Sequence, residues 1–194
     1  MWRRFNNLHL FLGTLFGIFL AMGLVALKLD EIEERRFARE DVQCLARNLA
    51  WESNSKSHMR VGAHRREAVA ELEAIARVAM LRARLGRKFG YRDTICEVVY
   101  QEGQFSWTKT LPRNAKPKSK ERWRFMLRMA ANALEGRFET HWPAENACIV
   151  NYKRSDNKGV GKKPEEWFNE NTRYVITFGD HDFFCIRDAK LARR

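Results

Sequence analysis

The chain has 194 residues, with 36 Lys+Arg against 24 Asp+Glu and a formal charge of +12. Hydrophobic residues make up 45% and charged residues 31%, which excludes a long disordered chain and fits one domain plus a short extra segment. Four cysteines are too few for a disulfide scaffold but enough for two bridges, and so basic a surface expects an anionic partner.

The N-terminus comes first. Leu10 to Leu27 is an uncharged run broken only by Thr14, and a helix over it would reach about 27 Å, enough to cross a bilayer core. Arg3 and Arg4 precede it, while Lys28 and then the acidic Asp30-Glu31-Ile32-Glu33-Glu34 follow. The charge bias places the N-terminus in the cytoplasm and the rest of the chain outside it. Residues 1–28 thus read as a signal-anchor or transmembrane segment in the inner membrane, single-pass, with the following domain in the periplasm or beyond. Cleavage at Ala21-Met22-Gly23 would instead release a secreted protein. Gly13 and Gly17 have the GxxxG spacing that would let two such helices pair weakly as a homodimer. Outside the cytoplasm, nucleic acid is not the expected partner of the basic surface; anionic envelope polymers are.

Along the exported part, residues 31–51 have apolar positions at Ile32, Phe37, Val42, Leu45, Leu49 and Ala50, predicting a helix whose first half connects anchor to domain. A polar, basic stretch (Lys56, His58, Arg60) reads as a loop. Residues 65–86 predict the clearest helix, with Val69, Leu72, Ile75, Ala76, Ala79, Met80 and Ala83 forming one buried stripe and Gly86 and Gly90 marking its end. Thr94 and Glu97 have capping-box spacing and open a short helix through Tyr100. Gln104 to Trp107 reads as loop or strand, and residues 109–120, basic and with two prolines, as an exposed connection. Residues 120–135 predict another amphipathic helix, with Trp123, Met126, Leu127, Ala130 and Leu134 inside and Gly136 as its stop. Residues 147–152, 172–178 and 183–186 predict short strands. The layout is α+β, helices first and a small antiparallel sheet last. A tail at 189–194 is basic.

For chemistry, Leu45, Leu49 and Glu52 lie at i, i+4 and i+7, so Glu52 shares the apolar stripe of its helix. Desolvation raises a carboxyl's pKa and suits it to general-acid work. On spacing alone, a solvated Glu at a helix end is the competing reading. Five scattered His without HExxH spacing, and cysteines without zinc spacing, give no metal site and no cofactor is expected. No Ser or Cys triad can be assembled, and Lys158 to Lys163 is a basic turn rather than a phosphate loop.

Cys44-Leu-Ala-Arg-Asn-Leu-Ala-Trp-Glu52-Ser resembles the opening motif of SleB-type cell wall hydrolases, the spore-cortex-lytic family, in which such a helix carries the catalytic Glu. Ile75-Ala-Arg-Val-Ala-Met-Leu-Arg82 resembles the family's next helix. Asp93-Thr-Ile-Cys-Glu-Val-Val-Tyr-Gln-Glu-Gly-Gln-Phe-Ser-Trp107 is similar to its most diagnostic block. Pro164-Glu-Glu-Trp167 and Phe178-Gly-Asp-His-Asp-Phe-Phe184 resemble two short later elements. The resemblance runs from about residue 44 to 185, and the domain it implies spans 44–188. Three departures stand out: Ser55 replaces a second Glu, about ten residues are inserted after Glu52, and Leu81 replaces an Asn before Arg82.

This resemblance implies a lysozyme-like fold that cleaves peptidoglycan glycan strands between N-acetylmuramic acid and N-acetylglucosamine, in cell lysis or wall remodelling. Phage endolysins of the signal-anchor kind are one setting. It implies lytic transglycosylase chemistry, in which one Glu protonates the glycosidic oxygen and the sugar's 6-hydroxyl attacks. That route needs no second carboxylate; if water attacks instead, Glu67, Glu97 or Asp180 would have to serve. Glu52 is the implied catalytic acid, and Gln104, Phe105, Ser106, Trp107 and His181 the implied substrate-binding residues, with Trp142 and Trp167 as groove or core positions. The rival expectation is a membrane-anchored, non-catalytic peptidoglycan-binding scaffold on a decayed lysozyme-like fold, motivated by the altered residues after Glu52.

Overall fold

The computed structural model describes residues 2–53, 63–140, 148–154 and 172–186. The polar loop after Ser55, Trp142, Trp167, the Pro164 element, the Lys158 turn and the 189–194 tail lie outside the described residues. The chain divides into two units, Met1–Arg39 and Glu40–Arg194.

The first unit is one helix, α1 (Trp2–Phe37), of 36 residues. It runs through the apolar stretch and on into the acidic segment, so the expected 31–51 helix is in fact two: α1 ends at Phe37 and α2 begins at Glu40. The break falls where Arg35 and Arg36 close one helix and Glu40 and Asp41 open the next, each set complementing the dipole at its end. Ile18, Phe19, Met22, Leu24, Val25, Leu27, Leu29 and Ile32 stand exposed on α1. Among the described residues no helix is long and apolar enough to cross a membrane. The expected span at 10–27, with Gly13 and Gly17, falls largely on positions whose side chains lie outside the described set.

The second unit comprises α2 (Glu40–Glu52), α3 (Ala63–Leu85), α4 (Ile95–Val99), α5 (Lys120–Leu134) and strands β1 (Ile149–Arg154), β2 (Thr172–Phe178) and β3 (His181–Ile186). Thr94 caps α4 by accepting the Glu97 backbone N–H, as the capping box predicts, and Ser119 caps α5 by accepting from Arg122. The sheet has the order β1-β3-β2, both pairings antiparallel, with β3 central and Phe183, Phe184 and Cys185 buried on it. The β2–β3 connection is the two-residue turn Gly179-Asp180, whose Gly179 has φ 55°, a backbone region glycine enters without strain. The fold is α+β, as expected.

One difference concerns α3. The periodicity predicts one buried stripe, yet every residue from Ala68 to Ala76 is buried, Glu71 and Glu73 included. The helix is the hub of the unit, with α2, α4 and α5 on some sides and β1 and β2 on others. Its carboxylates are buried because distant backbone comes to them: Glu73 accepts the N–H groups of Glu139 (2.5 Å) and Thr140 (3.0 Å). Two disulfides, Cys44–Cys96 and Cys148–Cys185, tie α2 to α4 and the start of β1 to β3.

Candidate active site

Glu52 is the last residue of α2, beyond the fully buried Leu45 and Leu49 on the same stripe. The turn after it is held tightly. Ser53 Oγ donates to the Leu49 carbonyl (2.5 Å), and Arg122 Nη2 reaches across from α5 to the carbonyls of Ala50 (3.0 Å) and Ser53 (3.1 Å). The two Arg122 bonds satisfy carbonyls of the kind a helix end leaves without intrahelical partners, while the Ser53 hydroxyl adds to the backbone bond that Leu49 already accepts from Ser53.

Glu52 faces a pocket of about 530 Å³. Its walls combine aromatic surface from Trp51, Phe105 and Tyr152 with the cations Arg82 and Lys109 and with His181. Among the described residues lining it, Glu52 is the one carboxylate. Burial pushes its carboxyl above the ordinary 4.5, and the neighbouring Tyr152 hydroxyl and the charges of His181 and Arg82 hold that rise back. Tyr152 is itself pushed well above the usual phenol range, first by burial and then by the Glu52 charge, so it stays protonated. Its hydroxyl faces Glu52 and Asn48 but closes no well-formed hydrogen bond with either.

Arg82 is fixed rather than free. Its Nε donates to the Val150 carbonyl (2.9 Å) and one Nη to Asn151 Oδ1 (3.1 Å), and its guanidinium lies 5.3 Å from the Phe105 ring centroid. His181, 3% exposed, sits at the start of β3 with Nδ1 2.7 Å from Glu71 Oε1 and its ring edge-on to Tyr152 at 5.1 Å.

Of the residues singled out in the sequence, Glu52, Gln104, Phe105, Ser106 and His181 meet in this pocket. Trp107 does not line it. A 310 turn over Ser106–Lys109 leaves Ser106 exposed and rotates Trp107 into the core. There its Nε1 donates to Asn48 Oδ1 (3.1 Å) and its ring meets Tyr100 edge-on. Glu67 and Glu97 are exposed and away from the pocket, and Asp180 lends its backbone N–H to Glu71 (3.2 Å) without reaching the pocket wall. Tyr152, Lys109 and Trp51 were not singled out as site residues. Tyr152 arrives through a strand a hundred residues from Glu52, a contact no local spacing encodes. Arg82 had a signal, since it matches the family's Arg in the second helix.

The sequence model of the family described as Cell Wall Hydrolase matches residues 66–184, more than half of the chain. The chain therefore belongs to the cell wall hydrolase family of the SleB type, enzymes that act on peptidoglycan. The matched residues include Arg82, Phe105, Tyr152 and His181, while the helix carrying Glu52 lies ahead of them. No curated protein and no solved structure matches the chain.

Proposed function

We propose that this hydrolase cuts the glycan strand of peptidoglycan between N-acetylmuramic acid and N-acetylglucosamine, with Glu52 as general acid and lytic transglycosylase chemistry. The observation that carries the reading is the pocket's single described carboxylate, half-buried and raised in pKa. Hydrolysis by inversion or retention requires two carboxyl groups flanking the bond. Intramolecular attack by the 6-hydroxyl requires only one acid, which protonates the bridging oxygen as C1–O breaks, leaving a 1,6-anhydro end. Trp51 offers an apolar face for sugar C–H surface, with the buried Phe105 in the pocket wall, and Gln104 and Ser106 offer hydrogen bonds to its substituents. A Glu at a helix end facing a three-stranded sheet supports a lysozyme-like reading of the α+β fold.

The proposed setting is outside the cytoplasm, with residues 10–27 as an inner-membrane signal anchor. Its support is the uncharged run behind Arg3 and Arg4, the exposed apolar side chains of α1, and two disulfides of the kind oxidising compartments maintain. A tethered endolysin or a wall-remodelling enzyme would both fit.

Mass spectrometry of muropeptides released by the full chain and by Glu52→Gln tests the reading. Anhydro-muropeptides from the wild type and none from the variant are expected. Reducing ends would overturn the transglycosylase chemistry, and no products from a folded wild type would favour the non-catalytic scaffold.

A further inference from the structure

Glu71 is fully buried in the middle of α3, yet among the described residues only one of its carboxylate oxygens has partners. Its Oε1 accepts the Asp180 backbone N–H and lies 2.7 Å from His181 Nδ1, while Oε2 has no partner among the described residues. The β2–β3 turn is shaped around it. A Cβ at Gly179 would stand 2.7 Å from the Glu71 carboxyl carbon, so only glycine lets the turn close over this carboxylate. Burying a carboxylate is costly, and a backbone carbonyl would satisfy a structural histidine at lower cost. What the carboxylate adds is orientation and charge. With Nδ1 turned to Glu71, Nε2 is the ring nitrogen left to a pocket that His181 walls together with Glu52.

We propose that His181, oriented by Glu71, is the base that takes the proton from the hydroxyl attacking C1 during glycan cleavage. The inference rests on Glu52 being the acid of that reaction. Glu52 gives its proton to the bridging oxygen, and the C1–O bond breaks with its electron pair passing to that oxygen. The muramic 6-hydroxyl oxygen bonds to C1, and its proton goes to His181 Nε2. After the product departs, that proton returns through solvent to the Glu52 carboxylate, so nothing beyond the glycan is consumed. Glu71 is a positioning residue, arranged as the carboxylate is in carboxylate–histidine pairs that set the ring's tautomer. Among the described residues, the charged and titratable groups around the imidazole are Glu52 from α2, Glu71 and Arg82 from α3, Lys109 from the 310 turn and Tyr152 from β1, with Asp180 and the buried Asp182 as its chain neighbours.

The test is the pH–rate profile of anhydro-muropeptide release by the full chain, alongside thermal melting. His181→Asn places an amide near the Nδ1 position, keeping a donor for Glu71 while removing Nε2. It is expected to melt near the wild type, keep KM within about twofold, lose about 10²–10⁴-fold in kcat, and lose the acid-side limb of the profile. A folded H181N with kcat within about threefold of wild type and an unchanged acid limb would overturn the base while leaving Glu52 as the acid. An inactive wild type would overturn both. Should H181N not fold, Glu71→Gln carries the test, since it keeps His181 and an acceptor but removes the charge. A shifted acid limb with lower kcat is expected, and an unchanged profile would overturn the proposal.

Discussion

Arg122 of α5 donates from a single Nη2 to the carbonyls of Ala50 and Ser53, residues on either side of Glu52. The charge sits at the negative end of α2 and fixes the turn from which the carboxyl projects. Arg122→Ala is expected to cost about 1.5–3 kcal/mol of stability, as hydrogen bonds to charged groups do. It is also expected to lower kcat more than it raises KM, because misplacing a reacting group by about 1 Å costs about 100-fold. Arg122→Lys should recover part of the stability but little of the rate, since a point charge cannot reproduce the planar guanidinium's reach to both carbonyls. Melting curves and steady-state rates on soluble glycan fragments check both.

The raised pKa of Glu52 links the acid's chemistry to stability. Between the ordinary 4.5 and its higher folded value, the folded protein holds a proton that the unfolded chain has lost. Stability from this group therefore falls as pH rises through that window and stays lowered above it. Glu52→Gln removes the penalty, so the variant should melt above the wild type at pH 7, with the gap closing below 4.5. The same substitution should abolish cleavage. A variant inactive yet more stable at neutral pH is the expected pair of results from calorimetry and muropeptide release. Equal melting temperatures at both pH values would count against a desolvated Glu52.

Much of this fold is local and so is legible in the chain. The Thr94–Glu97 capping box opens α4, Ser119 and Gly136 bracket α5, and the strands fall close to the predicted positions. The place of Glu52 on the Leu45–Leu49 stripe is legible for the same reason, being a matter of helical spacing, whereas its candidacy as an acid rests on the family resemblance of the Cys44–Glu52 segment. What sequence hides is burial decided by distant partners. Glu71 and Glu73 look like the polar face of α3 until backbone from residues 139–140 and 180 arrives to cover them. Tyr152 is hidden likewise, being one alternating position on a short strand until the antiparallel register sets it opposite Phe183 and beside His181. Trp107 shows the converse: a motif adjacent to groove residues suggests a groove residue, but a 310 turn sends consecutive side chains in different directions.

That rotation separates two aromatic positions two residues apart. Trp107→Phe leaves Asn48 Oδ1 without its indole donor in a buried site, which should cost about 1–3 kcal/mol. KM should change little, because the ring is absent from the pocket wall. Phe105→Ala should instead weaken binding as well as stability, since Phe105 both lines the pocket and lies beside the Arg82 guanidinium. Binding of a catalytically inert glycan by calorimetry, set beside thermal melting, distinguishes the two. A Trp107→Phe effect confined to affinity would place that ring in the groove after all.

The two disulfides should differ in what their loss does. Closing loops of 52 and 37 residues, Cys44–Cys96 and Cys148–Cys185 each restrict the unfolded chain by about 4 kcal/mol in the chain-entropy account. Their stability costs should therefore be similar. Their positions are not. Cys44–Cys96 ties α2 to α4, whereas Cys148–Cys185 joins the residue before β1 to the central strand, and those two strands carry Tyr152 and His181. Replacing Cys148 and Cys185 with Ser should therefore depress the rate of glycan cleavage at temperatures where the protein is still folded. The Cys44 and Cys96 pair of substitutions should lower the melting temperature by a like amount but leave the rate nearer the wild type. Rates measured well below each variant's melting point decide it, and equal rates in the two variants would show that the pocket does not depend on the β1–β3 tether.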